Sequence, residues 1–83
     1  MDWKKYGYVL SSTYRQKIVS SLKEGPKTPK QISLKTKLHL SHVSSTLKDL
    51  VSNSIAECLT PDLRKGKVYG LTKDGKEVAD KIE

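Results

Sequence analysis

The segment from Thr28 to Asn53, TPKQISLKTKLHLSHVSSTLKDLVSN, constrains the fold more than any other part of the chain. It carries two helical patterns, each with a capping residue ahead of it, separated by only a few residues. Thr28 caps the first, and Pro29 takes the first helical position, where a missing N–H costs nothing because that donor has no partner inside the helix. Ile32 and Thr36 are expected inward. Leu38 and Leu40 bracket the turn, and Ser41 reads as the N-cap of the second helix. Val43, Leu47, Leu50 and Val51 then recur at helical spacing and mark one apolar face. His42, Ser45, Lys48, Asp49 and Ser52 fall on the opposite face, with Ser44 toward its edge. Two short helices held this close form a helix-turn-helix.

The flanks extend the pattern. Ser11 to Thr13 offer N-cap hydroxyls, and Tyr14, Ile18, Val19 and Leu22 follow at helical spacing before Gly25 and Pro26 end the segment. Upstream, Met1 to Leu10 is aromatic and basic, and Tyr8, Val9 and Leu10 read as a short strand. Asn53 and Ser54 close the second helix of the pair, and 55–60 and 67–71 read as two strands around a turn, 61–66, rich in turn formers and bases. Thr72 caps a last helix reaching Ile82, with Val78, Ala79 and Ile82 as its stripe and Gly75 weakening its start. The expected class is α+β, mostly α: a winged helix with a three-helix core containing the helix-turn-helix, a two-stranded hairpin wing and a C-terminal helix.

Eighty-three residues suit a single domain spanning 1–83. Apolar residues make up 35%. A domain this small buries only about 60% of its unfolded surface, so dimerisation would help it. Trp3, Tyr6 and Tyr8 form either a satellite cluster or part of a homodimer contact, and the dimer is favoured because aromatic side chains are enriched at interfaces. The C-terminal helix is the other expected dimer surface. Cys58 is the only cysteine, which removes intrachain disulfides and Cys-based zinc sites and suggests a reducing compartment, the cytoplasm. It is expected as a small buried strand residue. No apolar run approaches the roughly 20 residues of a membrane span, and the N-terminal residues lack the apolar core of a secretion signal.

Sixteen Lys and Arg oppose nine Asp and Glu, for a net charge of +7 and a pI near 9.6. Their distribution says more than their number. From Gly25 to Ala56 five lysines face one aspartate, a net +4, whereas from Thr72 to Glu83 three lysines face four acids, a net −1. Such segregation suits a polyanion, although a lysine-rich surface also serves solubility.

The order and spacing of several fragments carry a resemblance. Thr28-Pro29-Lys30-Gln31-Ile32, Leu40-Ser41-His42-Val43-Ser44, Leu47 with Leu50, and Tyr69-Gly70-Leu71-Thr72 followed by Gly75 resemble the winged-helix transcriptional regulators of the MarR/ArsR type, especially small archaeal ones. The likeness runs from about Tyr14 to Gly75. It implies a double-stranded DNA partner and no catalysis. Three departures stand out: such proteins often carry alanine where Ser33 sits and glycine where Lys37 and Ser54 sit, so both turns here require strained or locally bonded backbone. The cysteine-rich metal-sensing motif of many ArsR-type proteins is absent, and metal sensing is not implied.

A helix fits the major groove, about 12 Å wide, with short polar side chains near its N-terminus reaching base edges. In the expected recognition helix, 41–53, those residues are Ser41, His42, Ser44, Ser45 and Lys48. His42 can donate to a guanine acceptor, and Ser41 offers the helix N-terminus to a phosphate. Thr28 and Lys30 stand at the start of the preceding helix. Lys27 and Lys37 are further candidates for the phosphate backbone. In the wing, 61–67, Arg64 suits a narrow minor groove, and Lys65 and Lys67 suit phosphates. His39 and His42 have no third ligand at metal-site spacing, so neither a metal nor a cofactor is expected. Paired carboxylates, a nucleophile with its base and a phosphate-cradling glycine loop are all missing, which argues against an enzyme. A protein-interaction or RNA-binding module within a larger assembly is the alternative use of the same fold.

Overall fold

A computed structural model describes residues 1–82. The elements run α1 (Trp3–Leu10), α2 (Thr13–Lys23), α3 (Pro29–Thr36), α4 (Leu40–Ser52), β1 (Ala56–Cys58), β2 (Tyr69–Leu71) and α5 (Lys73–Ile82).

The first ten residues differ from the expected strand. Asp2 accepts from the Lys4 and Lys5 amides, at 3.0 and 3.3 Å, and so starts α1. The helix buries Val9 completely and packs on α2 and α5. A three-residue apolar run carries no usable period, and the Asp2 cap decides its state. Ser12 caps α2 through the Arg15 amide. The corner between the two helices is tied by Arg15, whose guanidinium lies 3.7 Å from the Tyr8 ring centroid and donates to the Tyr8 carbonyl and the Ser11 hydroxyl. Such cation–π stacking with hydrogen bonds to fixed acceptors pins the start of α2.

Thr28 and Gln31 form a reciprocal capping box at α3, with Pro29 in the first turn. The α3–α4 turn combines both devices that its sequence requires. Lys37 is left-handed, at φ 61°, and the Ser33 hydroxyl donates to the Leu38 carbonyl at 2.6 Å. This closure lets α4 start at Leu40, with His39 as N-cap and no side-chain capping bond. Ser41 therefore lies inside the first turn and is not the N-cap. Val43, Leu47 and Leu50 are buried, while Val51, expected on the same face, remains 38% exposed. The end of α4 is a Schellman closure, with the Ile55 amide donating to Leu50 and the Ser54 amide to Val51. Ser54 adopts φ 58° in the position where glycine would be unstrained.

The hairpin pairs Ala56 with Leu71, Glu57 with Gly70 and Cys58 with Tyr69, and is shorter than the two expected strands. Lys27 adds an unanticipated bridge, exchanging two backbone hydrogen bonds with Tyr69 at 2.8 and 3.0 Å. Leu71 is buried, Tyr69 is half-buried against the core, and Cys58 is half-buried rather than buried. At α5 the Thr72 hydroxyl accepts from the Gly75 amide. Gly75 is buried beside β1, and a Cβ there would lie 2.0 Å from the Ile55 carbonyl oxygen. Close approach, rather than a weakened helix start, accounts for this glycine. The core joins Ile18, Val19 and Leu22 of α2 to Ile32, the α4 stripe, Ile55, Leu71 and Val78.

Candidate nucleic-acid interface

The α4 side chains available to a partner follow from the buried stripe opposite them. With Val43, Leu47 and Leu50 turned into the core, Ser41, His42, Ser44, Ser45 and Lys48 are all exposed. Lys30 on α3 is exposed as well. Thr28 is half-buried, and its hydroxyl oxygen accepts from the Gln31 amide in the capping box. In the wing Arg64 and Lys65 are exposed and Lys67 is half-buried. Leu59 and Val68 close the wing at its base through a 2.7 Å amide-to-carbonyl bond, supported by the Val68 amide donating to the Thr60 hydroxyl. Gly66, at φ 66°, turns the tip.

Among the described residues four lysines form ion pairs with carboxylates. Lys5 meets Asp74 at 2.6 Å, Lys23 meets Asp80 at 3.5 Å, and Lys27 and Lys35 meet Glu24 at 3.4 and 3.3 Å. The Lys35 hydrogen bond is the main cause holding the Glu24 carboxyl below its ordinary value, opposed by some desolvation. The Lys5 bond does the same for Asp74. Lys30, Lys37, Lys48, Arg64, Lys65 and Lys67 form no ion pair among the described residues. The candidate contact cations of α3, the turn, α4 and wing are thus uncompensated by ion pairs among the described residues, as are Lys4, Arg15, Lys17, Lys73, Lys76 and Lys81 on α1, α2 and α5.

Lys27 leaves the set of candidate phosphate contacts. Its ammonium donates to the Ser21 carbonyl at 2.5 Å and the Gly25 carbonyl at 3.4 Å, so it closes the C-terminal end of α2 instead. Tyr14 enters the site from outside it. Read from periodicity it belongs to the apolar stripe of α2, yet it is 41% exposed and its ring centroid lies 5.2 Å from that of His42. No spacing rule relates the first turn of one helix to the first turn of another two elements later. His39 and His42 stand with ring centroids 6.1 Å apart, and no group of three metal-ligating side chains occurs among the described residues. None of the described helices is long and apolar enough to cross a membrane.

A helix-turn-helix of α3 and α4, backed by α2, followed by an antiparallel hairpin and closed by α5, defines a winged helix. Solved structures share this arrangement. A mutant of ZitR from Lactococcus lactis aligns with a TM-score of 0.74 at 21% identity, over 83% of this chain and 48% of that one. The crystal structure of NadR in complex with 4-hydroxyphenylacetate aligns at 0.76 and 16% identity, over 95% of this chain and 60% of that one. The same ZitR mutant in its apo form aligns at 0.74 and 19% identity, over 93% and 63%. These likenesses establish the shared fold. The chain spans between about half and just under two-thirds of their lengths. No protein-family model and no curated protein sequence matches it.

Proposed function

We propose that this chain is a single-domain, MarR/ArsR-like transcriptional regulator, akin to the small archaeal ones, that binds specific double-stranded DNA in the cytoplasm as a homodimer. α4 lies in the major groove, where Ser41, His42, Ser44, Ser45 and Lys48 meet base edges and adjoining phosphates. Thr28, Lys30 and Lys37 flank it on the backbone, and Arg64, Lys65 and Lys67 carry the wing onto the backbone or into the minor groove. The observation that carries this reading is the exposed polar face of α4, Ser41, His42, Ser44, Ser45 and Lys48, turned outward by the buried Val43, Leu47 and Leu50 within a helix-turn-helix that is followed by a wing exposing Arg64 and Lys65. The dimer contact falls to α1, where Trp3 is 63% exposed and stands edge-on to Tyr6 at 5.6 Å, on a helix that packs against α5.

Retardation of random and selected duplexes over a series of salt concentrations tests the proposal. Affinity falls steeply with salt, and Lys48→Ala combined with Arg64→Ala weakens binding at fixed salt, lowering the slope by about 1 for each phosphate contact removed. Lys27→Met lowers the melting temperature and leaves the slope unchanged. Unaltered duplex binding in the Lys48→Ala, Arg64→Ala protein refutes the assignment. Lack of duplex retention at low salt, together with tight capture of a defined RNA or protein, identifies the interaction-module alternative.

A further inference from the structure

Three aromatic rings cross the start of α4. The Tyr14 ring, in the first turn of α2, lies 5.2 Å from the His42 ring at an interplanar angle of 52°. His39 lies 6.1 Å from His42 at 67°. All three side chains are exposed, so this row lies outside the core and adds little through burial. Its effect is on freedom of movement. An isolated imidazole on a solvated helix face hops among rotamers, whereas a ring with two aromatic neighbours has fewer of them open before any partner arrives. The backbone that carries Tyr14 is tied down: Ser12 caps α2, and Arg15, next to Tyr14, is fastened to the Tyr8 carbonyl, the Ser11 hydroxyl and the Tyr8 ring.

We infer that Tyr14 is a positioning residue for sequence readout: it sets the plane of the His42 imidazole so that its N–H meets the guanine N7 and O6 edge in the major groove. This rests on the DNA-binding reading above. Guanine is the base addressed because it presents two acceptors side by side there, where cytosine presents an amino donor, adenine one acceptor beside its own amino group and thymine one acceptor beside its bulky methyl group. A residue of α2, outside the helix-turn-helix, thereby decides selectivity at one position of each half-site without touching the base. Ordering a free side chain only on binding costs about two- to tenfold in affinity, and that is the expected loss when the support is removed.

Selection from a random duplex pool with wild-type protein, Tyr14→Phe, Tyr14→Ala, His42→Ala and the Tyr14→Ala, His42→Ala pair tests the inference. The wild type enriches guanine at one position per half-site. Tyr14→Phe keeps that preference because the ring remains. Tyr14→Ala flattens that position alone, binds the wild-type site about two- to tenfold more weakly and keeps the salt slope, since no phosphate contact is lost. His42→Ala flattens the same position, and the double variant is no worse than the worse single one. In the free protein the His42 ring resonances shift in Tyr14→Ala and hold in Tyr14→Phe. A guanine preference that survives Tyr14→Ala, equal damage from Tyr14→Phe, or unmoved His42 resonances overturns the inference. A wild-type motif that Tyr14→Ala leaves intact removes this inference alone, whereas a wild type that enriches no motif removes the sequence-specific reading along with it.

Discussion

Gly75→Ala sets two physical effects in opposition. On helix propensity alone the substitution stabilises, since glycine in a helix interior is about 1 kcal/mol less favourable than alanine. The packing says otherwise. The added Cβ would stand 2.0 Å from the Ile55 carbonyl oxygen, 3.0 Å from the Ile55 carbonyl carbon and 3.2 Å from Leu71 Cδ2. Backbone must then move by about an ångström, because the nearest atom is a backbone oxygen and not the end of a flexible side chain. That movement is opposed on the spot: the Ile55 oxygen already accepts from the Thr72 amide at 3.0 Å, and the Thr72 hydroxyl, shared between the Ser54 carbonyl at 2.7 Å and the Ile55 carbonyl at 3.1 Å, accepts from the Gly75 amide. Overpacking of this kind costs about 1–3 kcal/mol, with a backbone clash at the upper end, so the propensity gain is outweighed by about 1–2 kcal/mol. For a domain of this size that lowers the melting temperature by roughly 5–15 °C. Thermal melts followed by circular dichroism decide the sign, and a melting temperature equal to or above that of the wild type refutes the close-approach argument.

Ser54→Gly and Lys37→Gly relieve left-handed backbone at φ 58° and 61°, and each raises stability by about 0.5–1 kcal/mol, the strain of a non-glycine residue there less the added unfolded-state entropy of glycine. Chemical denaturation checks this, and a lower midpoint in both variants counts against it; Lys37→Gly also reduces the salt slope of duplex binding if Lys37 meets a phosphate. Acid stability responds to Asp74, whose carboxyl lies below its ordinary value of 3.8 chiefly through the Lys5 hydrogen bond. A depressed carboxylate contributes stability that is complete above its unfolded value and disappears as pH falls through the folded one. Melting temperature accordingly drops less steeply in strongly acidic buffer for Asp74→Asn than for the wild type; parallel curves would show that the pair is uncoupled from folding.

Several elements were legible because their signals are local. The Thr28 cap, a cap within Ser11 to Thr13, the stop at Gly25 and the α4 stripe each depend on residues within one or two turns, and backbone geometry follows from them directly. Even the strain at Lys37 and Ser54 could be anticipated from non-glycine residues at positions that demand positive φ. Legibility failed where two adjacent signals competed. Ser41 is a good capping residue, but closure of the turn by Ser33 onto Leu38 starts α4 earlier, and Ser41 becomes a first-turn side chain. The apolar run Tyr8 to Leu10 suggested a strand until Asp2 capped a helix through it. Among the site residues, exposure of Ser41, His42, Ser44, Ser45 and Lys48 follows from the buried stripe alone, whereas the separate fates of Lys27 and Lys30 do not.

What the sequence determined by itself, then, is the order of elements from α2 onward, the face α4 turns inward, and the concentration of positive charge in its middle third, because periodicity, caps and turn residues act over a few positions along the chain. The tertiary structure alone decided which cations keep their charge unpaired, why residue 75 has no side chain, and that Tyr14 stands against His42. Each of these depends on distances between residues far apart in the chain: Glu24 with Lys35, Ile55 with Gly75, and the first turn of α2 with the first turn of α4. Packing sets such distances, and no local pattern encodes them.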